Sequence, residues 1–221
     1  MEPEDSDRQL TKDKGQRTKD KGQMTKDTYP AFTIGKRFRI IPPDCAAPRD
    51  DRINLIIAKG AFGSGEHETS ASCIEILEEL QEVKKARILD LGSGTGILAL
   101  AALKLGAEDA VCVDINPDAV RTCEKNCRLN ALDQRVRNLA GSLDSIEEKD
   151  FDLALANIYG DLLLDFAPEL VARVRTGGFL LLSGILWEFN FDVRACYEKL
   201  GCRVVQNRML QEFSTILLQK S

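Results

Sequence analysis

The sequence predicts an α/β fold: a doubly wound, mostly parallel seven-stranded sheet with a C-terminal antiparallel hairpin. Three observations predict it. Short apolar runs alternate with stretches of helical period from Ile88 to Leu200. The run Ile88-Leu-Asp-Leu passes directly into Gly92-Ser-Gly-Thr-Gly96 and then Ile97-Leu-Ala-Leu, so strand, tight turn and helix follow without a gap. The last two β runs, Arg203 to Arg208 and Phe213 to Gln219, lie too close together for a crossover helix and must pair as a hairpin.

Taken in order, residues 1–28 form a repeat-containing tail. Thr11-Lys-Asp-Lys-Gly-Gln-Arg recurs from Thr18 and begins again at Thr25, with almost nothing apolar to bury, so the tail is expected to be disordered. Met24 is a candidate start. Residues 29–60 read as a short β ribbon leading into the sheet, from Phe38-Arg-Ile-Ile and Ile53-Asn-Leu-Ile-Ile around the Pro42 to Pro48 loop. Residues 61–221 form the main domain. It opens with Ala61-Phe-Gly-Ser-Gly-Glu-His-Glu-Thr-Ser70, a loop too polar for a core, before a helix with Cys73, Ile74, Leu77 and Leu80 on one face.

The helix from Ile97 stops at Gly106, a C′ glycine. Ala110-Val-Cys-Val-Asp114 is a buried strand ending in an acid, and Pro117 starts a helix that runs to Leu129. Val136 to Leu139 and Phe151 to Asn157 are the third and fourth strands. A helix is expected from about Asp161 to Val174, then Gly177-Gly178, a fifth strand at Phe179 to Ser183, and a helix around Phe191 to Leu200.

Composition narrows the function. With 221 residues, 43% hydrophobic and 29% charged, the chain can bury a full core without metals or disulfides. A net charge of −5 gives nucleic-acid binding no support, and no apolar run is long enough to span a bilayer. Seven cysteines, with no CxxC pair and no secretory signal, read as reduced thiols in a cytoplasmic protein. Cys123 and Cys127 share a helix face, but the single histidine is remote in sequence, so buried thiols are favoured over a metal site.

In sheets of this kind ligands bind beyond the carboxyl ends of the strands, where the strand order reverses. Asp90, Asp114 and Asn157 all close strands. Gly92, Gly94 and Gly96 let a ligand touch backbone, and Asp114 lies eighteen residues after Gly96, the distance at which a carboxylate takes both ribose hydroxyls. Asp114 has a plainer reading as a helix cap before Pro117. Ile97 stands where a dinucleotide fingerprint needs a third glycine, which argues against a nicotinamide cofactor.

The glycine loop with its two acids resembles the nucleoside-binding loop of class I (Rossmann-like) methyltransferases. Ala61 to Ser70, Asp90 to Ala99, Val113-Asp-Ile-Asn-Pro117, Ala156-Asn-Ile158 and Ser183-Gly-Ile-Leu186 follow the order of the ribosomal protein L11 methyltransferases, the PrmA type. That resemblance implies S-adenosyl-L-methionine as cofactor and methyl transfer to an amine nitrogen of a protein, a ribosomal protein being the inherited guess, with no direct contact to nucleic acid. It implies that Ser70, Gly92, Asp114 and Asn157 line the cofactor site. Ser70 replaces the family's usual threonine. Asp90 would meet the cofactor's cationic groups through charge, and Gly94 and Gly96 would complete the turn. Asn157 would also orient the acceptor. His67 would either take a proton or fix the loop, and Trp187 and Phe189 would edge the substrate channel or simply pack. The family's additional substrate-gripping N-terminal domain is represented here only by tail and ribbon, so the activity class is better supported than the acceptor. A small-molecule or other-protein acceptor, and a non-catalytic cofactor-binding module, are the competing readings.

Overall fold

The structure is a computed structural model that describes residues 29–48, 50–59 and 65–221. The expected tail, the Met24 start and positions 60–64 of the polar loop lie outside the described residues. The main sheet has seven strands: β4 (Arg87–Leu91), β5 (Asp109–Asp114), β6 (Val136–Ala140), β7 (Phe151–Asn157), β8 (Val174–Leu186), β9 (Cys202–Met209) and β10 (Phe213–Lys220). Their order is β6-β5-β4-β7-β8-β10-β9, parallel except for β10. The chain builds outward from β4 to β6 and then returns to the other side of β4. The reversal therefore falls between β4 and β7, the switch point at whose carboxyl ends folds of this kind form a ligand crevice.

Six helices cover the sheet: α1 (Glu68–Glu79), α2 (Ile97–Lys104), α3 (Pro117–Leu129), α4 (Gly160–Asp165), α5 (Ala167–Arg173) and α6 (Asn190–Lys199). Helix α2 is apolar all round, with Ile97 to Leu103 buried, because it is covered on both sides. One cover is the main sheet. The other is a separate sheet of β1 (Phe32–Ile34), β2 (Phe38–Ile41) and β3 (Ile53–Ile56), whose Ile34, Phe38, Ile40 and Leu55 share one core with Ile88, Ala99, Leu100 and Ala101. The alanines of α2 let the two layers approach closely.

Three local expectations change. The ribbon is a three-stranded sheet not hydrogen-bonded to the main one; β1 pairs with β2 antiparallel and β3 pairs with β2 parallel. The stretch 42–52 is long enough to return the chain in the same direction, and β1, at three residues, is too short to show a period. The single helix expected over 161–174 is two, parted at Phe166, because Pro168 has no N–H for an interior helical bond. The fifth strand begins at Val174 instead of Phe179, since Gly177-Gly178 is absorbed as an irregularity in the pairing of β7 with β8 rather than ending the strand.

Asp90 joins strand to helix. Its carboxylate is 2% exposed and accepts the N–H of Ala99, the third residue of α2, at 3.2 Å. That position suits a carboxylate because the first-turn N–H groups lack helical partners. Burial nevertheless lifts its pKa to about 7, and nearby Asp114 pushes the same way, against the Ala99 bond. The native state thus keeps a proton that the unfolded chain has lost. Between pH ~4 and ~7 this group makes stability fall as pH rises, by up to about 1.4 kcal/mol per unit, and above pH ~7 its contribution is flat. Asp90→Asn, which retains an acceptor for Ala99, is expected to flatten that slope in denaturant unfolding measured across the window. An unchanged slope would contradict the assignment.

Candidate functional site

The crevice floor is the turn from Gly92 to Gly96. Gly92, Gly94 and Gly96 have φ of 68°, 55° and 77°, the left-handed region that side chains disfavour. The turn leans on the end of β5: the N–H groups of Gly92 and Ser93 both donate to the Val113 carbonyl, at 2.8 and 3.1 Å. Its middle is latched to Asp114. One carboxylate oxygen accepts the Gly94 N–H and the other the Asn116 N–H, each at 2.9 Å. A carboxylate offers about four acceptor positions, so two stay open above the turn. Helix capping belongs instead to Asn116, whose side chain accepts from Asp118 N at 2.9 Å.

The wall opposite comes from the segment after β7. Ile158 is wedged between two glycines: a Cβ on Gly92 would stand 2.4 Å from its Cγ2, and a Cβ on Gly184 would stand 2.5 Å from its carbonyl oxygen. Only bare backbone on both sides admits it. Asn157, half-buried just before it, donates from Nδ2 to Ser70 Oγ at 3.3 Å. Ser70 is buried in the first turn of α1, so this contact ties the polar loop's helix to the end of β7. Asn157 Oδ1 faces Gly184, where a Cβ would come within 3.2 Å.

Ser70, Gly92, Gly94, Gly96, Asp114 and Asn157 are therefore linked by a continuous set of contacts at the carboxyl ends of β4, β5 and β7. Asp90 lies beneath the turn, facing α2. His67 stands at the edge, exposed, as the N-cap of α1: Nδ1 accepts the Thr69 N–H at 3.4 Å and lies 2.9 Å from Thr69 Oγ1, while the ring meets Phe213 edge-on at 5.1 Å. Trp187 is half-exposed, with its indole N–H on the Phe213 carbonyl at 3.0 Å, and Phe189 packs against Gly160. Tyr159 and Leu162, at the start of α4, are also exposed.

Two contributors escaped the sequence reading. Glu68 accepts the N–H groups of Gln211 and Glu212 at 3.0 and 3.2 Å, fastening the β9–β10 turn to α1, and these bonds hold its carboxyl below the usual range against the opposing effect of burial. Asn126 is the other. It shares the buried face of α3 with Cys123 and Cys127, and a polar amide at that helical spacing was the available signal.

The family model for ribosomal protein L11 methyltransferase (PrmA) matches residues 4–221. A ribosomal protein L11 methyltransferase of Pseudomonas aeruginosa is 42% identical over 166 residues, covering 75% of this chain and 56% of that protein. One from Pelobacter propionicus is 40% identical over 181 residues, covering 79% and 57%. The chain thus spans little more than half the length of these curated relatives. A crystal structure of ribosomal protein L11 methylase from Lactobacillus delbrueckii subsp. bulgaricus superimposes with a TM-score of 0.79 at 26% identity, covering 87% of this chain and 100% of that one. A T. thermophilus 16S rRNA methyltransferase, solved with AdoMet and guanosine, shares the fold at a TM-score of 0.62 and 23% identity, over 75% of this chain and 46% of its own. The fold is that of the class I methyltransferases, and the chain belongs to the ribosomal protein L11 methyltransferase (PrmA) family.

Proposed function

We propose that the chain is an S-adenosyl-L-methionine-dependent methyltransferase acting on an amine nitrogen of a protein, with a ribosomal protein as the substrate its relatives' names suggest. The observation that carries this reading is the Ser70–Asn157 contact beside a glycine-rich turn latched to Asp114. The residues fit the cofactor. Asp114 has acceptor positions left for two ribose hydroxyls, and the three glycines of the turn allow close approach of a nucleoside. Ser70, Gly92, Gly94, Gly96 and Asn157 complete the holding set. When bound, S-adenosyl-L-methionine supplies an electrophilic methyl group on its sulfonium. Asp90, with a pKa near 7 beneath the turn, gains ionisation as a cationic ligand approaches.

The acceptor amine must be neutral to react. For a lysine with an ordinary pKa near 10.4, losing the proton at pH 7 costs about 4.6 kcal/mol. Placement in the crevice beside a positive charge lowers that cost. Asn157, whose Nδ2 is engaged by Ser70, keeps Oδ1 to accept an amine N–H and so to aim the lone pair. The described contacts of His67 are those of a helix cap, which favours a role in fixing the loop over one in taking the proton. The open apolar rim of Tyr159, Leu162 and Trp187 suits a polypeptide acceptor better than an enclosed small molecule.

Calorimetry with S-adenosylhomocysteine tests the holding set. Asp114→Ala is expected to weaken binding more than tenfold, since charge-assisted bonds to two hydroxyls are worth about 1.5–3 kcal/mol each; unchanged affinity would remove that role. Asn157→Ala is expected to lower kcat more than cofactor affinity, and an equal loss of both would make it a binding residue only. His67→Asn, which keeps a good cap, is expected to retain kcat. A collapse of kcat with the fold intact would return the proton to His67. Labelled cofactor incubated with cell extract identifies the acceptor: label in protein supports the reading, and label only in small solutes contradicts it.

A further inference from the structure

Asn126 has no exposed surface, and its amide engages two segments far apart in sequence. Oδ1 accepts the Ala58 N–H at 2.8 Å; Nδ2 donates to the Thr95 carbonyl at 2.9 Å and to the Ala58 carbonyl at 3.4 Å. Thr95 belongs to the glycine-rich turn. Ala58 follows β3 of the small sheet. Asn130, one helical turn further along α3, makes a matching clasp one step back on that chain: Oδ1 accepts the Ile56 N–H at 3.0 Å, and Nδ2 donates to the Ile56 carbonyl at 2.7 Å. The two asparagines hold the same strand. Only Asn126 also reaches the turn.

The Thr95 carbonyl and the Gly96 N–H belong to one rigid peptide plane. Asn126 holds the carbonyl end, and the N–H end donates to Ser93 at 2.7 Å, so the last peptide of the turn is fixed from both sides. Gly96 itself sits against α3, where a Cβ would lie 2.4 Å from Cys123 Sγ. The turn's orientation is therefore set by α3 as much as by β5.

We propose that Asn126 is a positioning residue for cofactor binding, orienting the Thr95–Gly96 peptide of the glycine-rich turn and coupling that turn to the small N-terminal sheet through Ala58. This rests on the cofactor reading above. The coupling is reciprocal: a ligand that steadies the turn also tightens the hold on Ala58.

The test compares Asn126→Ala with Asn130→Ala, because each removes an amide clasp on the same strand. S-adenosylhomocysteine titrated into the purified chain is expected to bind Asn126→Ala at least tenfold more weakly than wild type and Asn130→Ala within about twofold of it, while both variants lose thermal stability. Hydrogen exchange of residues 53–58 supplies a second readout. Added S-adenosylhomocysteine is expected to slow it in wild type and Asn130→Ala but not in Asn126→Ala. Equal affinity changes in the two variants, or none in Asn126→Ala, would overturn the proposal and leave Asn126 a structural clasp. Should Asn126→Ala not fold, Asn126→Ser provides the same comparison. Wild-type protein that binds no S-adenosylhomocysteine would overturn the cofactor reading itself, a result distinct from a failure at Asn126.

Discussion

The crevice depends on one carboxylate held by backbone. Asp114, at the end of β5, accepts N–H groups from Gly94 on one side and Asn116 on the other, at 2.9 Å each. Those bonds join the turn after β4 to the start of α3, two segments that parallel strand pairing alone would bring near but not align. They also orient the carboxylate before any ligand arrives, and a preorganised group loses less entropy on binding. The glycines complete the constraint. Without side chains at Gly92 and Gly184, Ile158 lies flat between turn and strand and carries Asn157 to Ser70.

Much of this was legible in the sequence, for identifiable reasons. The strands around the switch point are buried on both faces, so Ile88-Leu89 with Leu91, and Ala110 to Val113, read as the apolar runs of a covered parallel sheet. Asp114 and Asn157 close β5 and β7, Asp90 lies one residue inside the end of β4, and a strand end is where such a fold binds ligands. Asp114 could be read as a ribose acceptor or a cap from sequence alone; its position above the turn, with Asn116 doing the capping, supports the first. What stayed hidden was what depends on three-dimensional proximity. Nothing in the alternation of residues 38–57 distinguishes a parallel return from an antiparallel one, and Pro168 was the single mark of the break between α4 and α5.

Buried polar groups show where the layers are registered. Asn126 and Asn130 satisfy strand-edge backbone that would otherwise face α3 unpaired, and Glu68 does the same for the β9–β10 turn. The two asparagine clasps replace solvent bonds with directional ones in a dry place, so they fix alignment more than they add net stability, whereas the Glu68 bonds lie at the surface. Asp90 differs. Its single bond to Ala99 does not offset burial, and its raised pKa records the remaining cost at the point where β4 meets α2.

On the proposed function, the glycine-rich turn closed by Ile158 is a nucleoside cradle. The most direct measurement is calorimetric titration of S-adenosylhomocysteine into Gly92→Ala beside wild type, with folding checked in parallel. The added Cβ, 2.4 Å from Ile158 at a φ of +68°, displaces that wall. A folded variant whose affinity falls at least tenfold is expected. A folded variant that binds as tightly as wild type would contradict that role.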